Sequence, residues 1–153
     1  MIQKFEEFIN EAKLPEFDHE IADIQKLYDY VKDNYEFESN DGRCLEPMRS
    51  FGYGKDGKDG FLSNSLRMPL FFDEDKPAYL IPEYYRTGER TLEVSYFLVK
   101  KLEEKDKDAW NELNDTIKEA FSKDKVYNEF VIWVYDKIIE ILGDECRTHK
   151  KEK

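Results

Sequence analysis

The sequence predicts an α+β fold that is mainly helical, with about four helices and, mid-chain, a small β-hairpin within an irregular insertion. Apolar residues recur at steps of three and four near both ends of the chain, which is the period of helices packed on a core. Between residues 39 and 88, Gly, Pro, Asn and Asp interrupt short apolar runs, a pattern that favours turns and brief strands. The length of 153 residues is that of one domain.

The N-terminal part of the chain begins with a short amphipathic segment and continues as the first long helix. Residues 1–14 place Ile and Phe side chains close to one helical face, and Pro15 ends this segment. The helix begins near Asp18, a residue type that suits the N-cap position. Its apolar positions recur at helical spacing: Ile21, Ile24, Tyr28, Val31 and Tyr35. We assign residues 15–145 to one globular domain and residues 146–153 to a basic tail with a frayed end.

The predicted hairpin lies in the irregular middle of the chain. Two apolar runs, residues 66–72 and 78–81, flank a short stretch of acidic residues that suits a turn. Proline has no amide hydrogen to donate to a neighbouring strand. Pro69 and Pro82 are therefore expected to confine both strands to the edge of a sheet.

Three further helices are expected in the second half of the chain. Residues 91–101 fit a strand by alternation and a helix by three-and-four spacing, and the charged residues that follow favour the helix. A second amphipathic helix is predicted over residues 110–121 and a third over residues 126–142. The third is apolar nearly all round, so we expect it at the centre of the core, ending at Gly143 as its C-cap.

The charge of the chain restricts the partners that it can attract. Asp and Glu number 35 against 24 Lys and Arg, which gives a net charge of -11. This charge disfavours attraction to a phosphate backbone or to an anionic membrane, so a partner with a basic surface is expected. The chain is also 40% hydrophobic and 15% aromatic, which predicts a packed core rather than a disordered acidic tail.

Two further features indicate a cytoplasmic protein. No stretch approaches the roughly 18 to 20 apolar residues needed to span a bilayer, and the first residues carry acids where a secretion signal needs a hydrophobic block. Cys44 and Cys146 lie far apart without a CxxC or His spacing, so two free thiols are expected rather than a disulfide framework or a zinc site.

A glycine-rich stretch, residues 51–60, matches two phosphate-binding patterns, GxGxxG and GxxxxGK, but lacks their context. Those patterns need a buried strand before the loop and a helix N-terminus after it, and Asp59 replaces the Ser or Thr that holds magnesium. Its acids also lack the ligand spacing of a calcium loop. Two Asp-Gly pairs favour a flexible turn. The alternative is a partner-binding loop, since aromatics lie beside glycines. Its candidate residues are Phe51, Tyr53, Lys55 and Phe61.

No catalytic residue, metal ligand or cofactor site is predicted. General acid-base catalysis commonly uses His or converging carboxylates, but His19 lies at a predicted helix start and His149 in the tail. Glu89 and Glu93 suit a solvated helix face better than a hydrolase pair.

A second candidate partner-binding set is Tyr84, Tyr85 and Arg86. With the Glu and Arg that follow, this cluster could bind a stacked base or an anion. Core packing with surface ion pairs is the favoured explanation.

Residues 1–12, with the sequence MIQKFEEFINEA, resemble the capsid-targeting peptide of internal head proteins in tailed bacteriophages of the T-even type. In that family an aromatic-Glu-Phe-Ile segment docks the protein into the prohead scaffold, and the phage protease cuts after the Glu of an Ile/Leu-x-Glu triplet. The resemblance implies that this triplet begins at Ile9 and ends at Glu11, and that Ala12 becomes the new N-terminus. An ordinary amphipathic helix packed on the core is the alternative. The family's packaged proteins are often basic, and this acidic chain departs from that pattern.

The sequence thus predicts a non-enzymatic bacteriophage accessory protein for host takeover, in the host cytoplasm or the virion interior. It would bind and inhibit a host protein with a basic surface, such as a defence or restriction component. Direct nucleic-acid binding and membrane binding are not expected. Two alternatives stay open: a small carboxylate-based metal-dependent enzyme, which metal-dependent stabilisation would favour, and a structural component of a phage assembly, which a defined oligomer would favour.

Overall fold

The computed structural model describes residues 19–37, 46–53, 61–72 and 76–152. This part of the chain contains three α-helices, a short 3-10 turn and two antiparallel sheets. In chain order the elements are α1 (His19–Asn34), β1 (Tyr35–Phe37), β2 (Met48–Tyr53), β3 (Phe61–Leu70), β4 (Ala78–Tyr85), β5 (Arg90–Val94), α2 (Tyr96–Ser122), α3 (Asn128–Leu142), the 3-10 turn (Gly143–Glu145) and β6 (Thr148–Lys150).

The prediction of four helices with a small hairpin is wrong. Two of the predicted helices, residues 91–101 with their continuation and residues 110–121, share the single element α2. Asp106 interrupts it with extended dihedral angles, φ -161° and ψ 89°, and its carboxylate accepts a hydrogen bond of 3.1 Å from the Ala109 amide. Asp106 therefore restarts the helix in the manner of an N-cap. The first residues of the segment predicted as helix, 91–94, belong to β5 instead.

The predicted hairpin is present, but it is the centre of a larger sheet. Strands β3 and β4 pair antiparallel, and the four-stranded sheet has the order β2-β3-β4-β5. The hairpin therefore occupies the two interior positions, and the prediction that its prolines confine both strands to the sheet edge is wrong. The sheet tolerates the two prolines because each lies where the strand pairing on one side is absent or interrupted. Pro69 lies where β3 extends beyond the last β2 pair, Met48↔Arg67, and the β3–β4 ladder is interrupted opposite Pro82.

The helices pack on one face of this sheet. Helix α1 contacts β3, and α2 packs along α3. Alternation along strands β3, β4 and β5 places one set of side chains toward the helices. Fully or almost fully buried residues of this set include Leu66, Met68, Leu80 and Leu92.

Helix α3 lies in the core, as its apolar sequence predicts. Val131, Val134, Tyr135 and Ile138 are completely buried. The helix ends at Gly143, which adopts φ +59° and donates its amide to the Ile139 carbonyl. This left-handed conformation favours glycine, so the predicted end of the helix is confirmed.

The C-terminal residues form a strand where a frayed end was expected. Strand β6 pairs with β1, the strand that directly follows α1. Thr148 is fully buried; its hydroxyl accepts from the Phe71 amide (3.1 Å) and donates to the Pro69 carbonyl (3.3 Å). The tail therefore holds together α1, the central hairpin and the end of α3. No helix within the described ranges is long and apolar enough to cross a membrane.

Candidate functional site

A buried polar network joins four elements of the fold. Its members are Asp23 on α1, Tyr84 on β4, Arg90 on β5 and Asn128 at the start of α3. Asp23, Tyr84 and Asn128 are 7%, 0% and 2% exposed. Polar groups in an interior cost free energy unless they are paired, so the partners of each group decide whether the network stabilises the fold.

Every member of the network is paired. The Tyr84 hydroxyl donates to the Asn128 amide oxygen (2.6 Å), and the Asn128 amide nitrogen donates to the Asp23 carbonyl (2.8 Å). Arg90 forms an ion pair with the Asp23 carboxylate. Burial raises the pKa of the Tyr84 hydroxyl well above its usual range, against the opposing effect of the nearby Arg90 charge. The phenol therefore stays protonated and keeps donating to Asn128.

Arg90 lies against two tyrosine rings. Its guanidinium carbon is 4.1 Å from the centroid of the Tyr84 ring and 4.9 Å from that of Tyr127. Both distances are in the range of cation-π attraction. Asp23 pairs with the same guanidinium and neutralises its charge. The ion pair and the two ring contacts together fix the position of the Arg90 side chain.

Next to Arg90 a cleft of about 420 Å³ opens to the surface. It is lined by residues 87–90, in and after the β4–β5 turn, by Phe121 in the last turn of α2, and by Asp124, Val126 and Tyr127 in the α2–α3 connection. Arg90 and Tyr127 connect the buried network to this cleft. The network therefore forms the support on which the cleft is built.

Each wall of the cleft has a residue with positive φ. In the turn, Gly88 has φ +95°, and its amide donates to the Tyr85 carbonyl at 2.8 Å. The Tyr85 amide donates to the Glu89 carbonyl at 2.8 Å, which gives a three-residue hairpin loop closed by a glycine. In the α2–α3 connection, Asp124 has φ +52°, a conformation that Asp and Asn adopt more readily than most residues.

The cleft has an excess of negative charge. Glu89 and Asp124 are exposed, and neither carboxylate forms an ion pair with another described residue. Because Arg90 is neutralised by Asp23, the two carboxylates determine the sign of the local field. The cleft combines these acids with the aromatic side chains of Phe121 and Tyr127, a composition that suits a cation.

The structure separates the three predicted residues at the end of β4. Tyr84 is completely buried in the network. Tyr85 projects from the opposite face of the strand, where its hydroxyl donates to the Glu83 carboxylate (2.7 Å), which raises the pKa of Tyr85. Arg86 is exposed in the turn. These residues do not form one surface, so a stacking site made of all three is not assembled here.

Of the predicted partner-binding loop, only Phe51 can be placed. Its side chain is 45% exposed on β2, an outer strand of the sheet, and the Arg49 guanidinium lies 5.3 Å from its ring centroid. Tyr53 and Phe61 belong to β2 and β3, but their side chains lie outside the described set. Lys55 and the predicted processing residues Ile9, Glu11 and Ala12 also lie outside the described residues. Binding by this loop stays a prediction.

Sequence reasoning missed Asp23, Asp124, Tyr127 and Asn128. Asp23 is 67 residues from its partner Arg90, so no local spacing joins them. Asp124 lies in the predicted break between two helices, residues 122–124, and an acid at such a position is common on any surface. Only the pairing of β4 with β5 and the position of α3 bring these side chains together.

Cys146 is a free, largely buried thiol that donates to the Thr148 carbonyl at 3.2 Å. Burial raises its pKa to about 11, so little thiolate forms at neutral pH. Among the residues that the structure describes, no three His, Cys, Asp or Glu side chains are grouped so that they could hold a metal ion.

Comparison with known proteins gives no match: no family model, no curated protein and no solved structure is significantly similar to this chain.

Proposed function

We propose that this chain is a non-enzymatic bacteriophage accessory protein that binds a host protein with a basic surface and inhibits it. The observation that carries the proposal is the excess of acid: the net charge is -11, and the cleft beside Arg90 presents the carboxylates of Glu89 and Asp124 without ion pairs among the described residues. Enzymes that act on nucleic acids hold their substrates with basic sites. A defence or restriction component is therefore the class of host protein that this surface suits.

The charge supports binding through its effect on association. A surface with a large excess of one sign attracts a partner of the opposite sign over distances of about 10 Å at moderate salt, which raises the association rate. Such binding weakens as the salt concentration rises. This dependence distinguishes an acidic inhibitor from a protein that binds through an apolar patch.

The first twelve residues support the phage part of the proposal. Their resemblance to a capsid-targeting peptide supports a proposal of packaging in the virion interior with cleavage after Glu11, and the host cytoplasm is the proposed location if the segment is retained. Intact mass of the protein from purified phage particles tests this directly. A species that begins at Ala12 would support packaging. Full-length protein found only in infected cells would contradict packaging in the virion and leave a role in the host cytoplasm as the proposal.

Inhibition is tested with the full chain on a bacterial host extract. The protein is cross-linked to its partners at low salt, the partner is identified and purified, and its activity is measured while this chain is added in increasing amounts. We expect stoichiometric loss of the partner's activity, and binding that weakens at least about tenfold between 50 and 300 mM salt. Binding without loss of activity would contradict inhibition, and binding that is insensitive to salt would contradict an acidic interface.

A further inference from the structure

The geometry points to the cleft beside Arg90 as a receptor for one arginine side chain of the partner protein. This inference rests on the proposed function for its partner, but it concerns a defined site: residues 87–90 together with Phe121, Asp124, Val126 and Tyr127. The ligand class is an exposed guanidinium on a protein or peptide.

Charge is the first reason for this assignment. Glu89 and Asp124 both line the cleft, and neither carboxylate forms an ion pair with another residue of the described chain. The one base in the lining, Arg90, is neutralised by Asp23. A guanidinium in the cleft would therefore meet an uncompensated negative field, and its planar donors suit carboxylate oxygens.

The aromatic walls are the second reason. Phe121 and Tyr127 are half-buried and line the cleft next to the acids. The same combination of contacts already occurs within the fold: the Arg90 guanidinium lies against the rings of Tyr84 and Tyr127 and pairs with the Asp23 carboxylate. Arginine combines ring stacking with two-point carboxylate binding better than lysine does, so arginine is the side chain that we assign.

Size and surroundings agree with a side chain rather than a large ligand. A volume of about 420 Å³ lies near the lower end of the range for ligand clefts, about 300 to 1,000 Å³. It accommodates an arginine and part of its neighbours in a peptide. Arg86 and Lys125 flank the cleft in sequence, but neither lines it.

The test uses the full chain labelled with ¹⁵N and the peptide acetyl-Gly-Arg-Gly-amide, followed by amide chemical shifts. We expect saturable shifts confined to residues 87–90 and 121–127, with a dissociation constant of about 1 mM, as suits a single exposed contact. The matched peptide with citrulline in place of arginine has the same shape without the charge. We expect it to bind at least about tenfold more weakly.

The matched variants separate the cleft from the general acidity of the chain. Glu89→Gln with Asp124→Asn removes two charges and keeps the shapes, and Asn tolerates the positive φ at residue 124. Glu112→Gln with Asp115→Asn removes two charges from the exposed face of α2. We expect the first pair to abolish the shifts and the second pair to keep them. Melting temperatures within about 2 °C of the wild type would show that both pairs fold.

Two results would overturn the inference. One is that the citrulline peptide binds as tightly as the arginine peptide; the other is that both double variants lose the chemical-shift changes to the same extent. The proposed function is judged separately by inhibition of the host protein. If the peptide binds in the cleft but no host protein is inhibited, the receptor stands and the proposed function fails. If the host protein is inhibited equally by the Glu89→Gln, Asp124→Asn variant, the function stands and the cleft is not its contact.

Discussion

At the scale of single residues, Asn64 is a polar side chain in unfavourable surroundings. It lies in β3 between Phe51 on β2 and Tyr84 on β4, and it is completely buried. Neither its amide nitrogen nor its amide oxygen has a hydrogen-bond partner among the described residues. An unpaired buried polar group costs about 1 to 3 kcal/mol.

Replacing Asn64 with leucine is therefore expected to stabilise the protein. Asn64→Leu removes the two unpaired groups and keeps the number of side-chain heavy atoms, and it should raise the free energy of unfolding by about 1 to 2 kcal/mol, measured by urea denaturation. Asn128→Leu is the matched control. Asn128 is equally buried but paired with Tyr84 and Asp23, so its loss should destabilise by about 1 to 3 kcal/mol. A similar decrease in the free energy of unfolding in both variants would show that the Asn64 side chain has hydrogen-bond partners in solution.

The second residue-scale prediction concerns pH. Burial raises the pKa of Tyr84 and Tyr135 above the value near 10 that a tyrosine has in the unfolded chain. The folded state therefore keeps its protons where the unfolded state loses them. The stability that this contributes is complete below pH about 10 and falls as the pH rises further, by about 1.4 kcal/mol per pH unit for each such tyrosine.

Urea midpoints between pH 8 and pH 11.5 measure this loss. Tyr84→Phe should be less stable than the wild type at pH 8, because it loses the bond to Asn128, yet its stability should fall less steeply above pH 10. The comparison cancels the titration of the lysines, which both proteins share. Parallel curves for the two proteins would contradict a raised pKa at Tyr84.

At the scale of elements, the β4–β5 turn depends on one glycine. Gly88 has φ +95°, and a Cβ added there would meet no atom within 4 Å. The cost of Gly88→Ala is therefore conformational rather than steric, and we expect about 1 to 2 kcal/mol of lost stability. Thr87→Ala in the same turn should change stability by less than about 0.5 kcal/mol. Thermal unfolding of the two variants measures both effects, and equal changes would contradict the argument.

Two elements show what local patterns can and cannot predict. Helix α3 was predictable because it is apolar nearly all round and ends at a glycine, so sequence and environment agree. Residues 91–94 were not, because their apolar spacing fits both a strand and a helix. Pairing with β4, which sets Leu80 against Val94 and Pro82 against Leu92, selects the strand. That partner lies ten or more residues away and has no local signature.

At the scale of the whole molecule, the C-terminal strand joins parts of the fold that are far apart in the chain. Strand β6 pairs with β1, Arg147 donates its amide to the Phe71 carbonyl at 2.7 Å, and Thr148 bonds to Pro69 and Phe71. We expect deletion of residues 147–153 to lower the free energy of unfolding by about 2 to 4 kcal/mol, since several buried backbone groups lose their partners.

A shorter deletion is the control for this prediction. Removal of residues 152–153 leaves β6 and the bond of the Lys151 amide to the Asn34 carbonyl (2.8 Å), so stability should be unchanged. Urea denaturation of both truncated proteins distinguishes the cases. If the longer deletion is also neutral, β6 does not hold the fold together.

By itself the sequence determined particular elements: a packed core, a helix beginning near residue 18, the two strands of a hairpin at mid-chain, a central C-terminal helix that ends at Gly143, and a large acidic excess. These properties follow from composition and short-range periodicity, which act within a few residues. The tertiary structure alone decided that the hairpin lies inside a four-stranded sheet, that the tail is a strand, and that Asp23, Arg90 and Tyr127 meet beside a cleft. Those outcomes depend on contacts between residues far apart in the chain, where the free energy of pairing and burial overrides local preference.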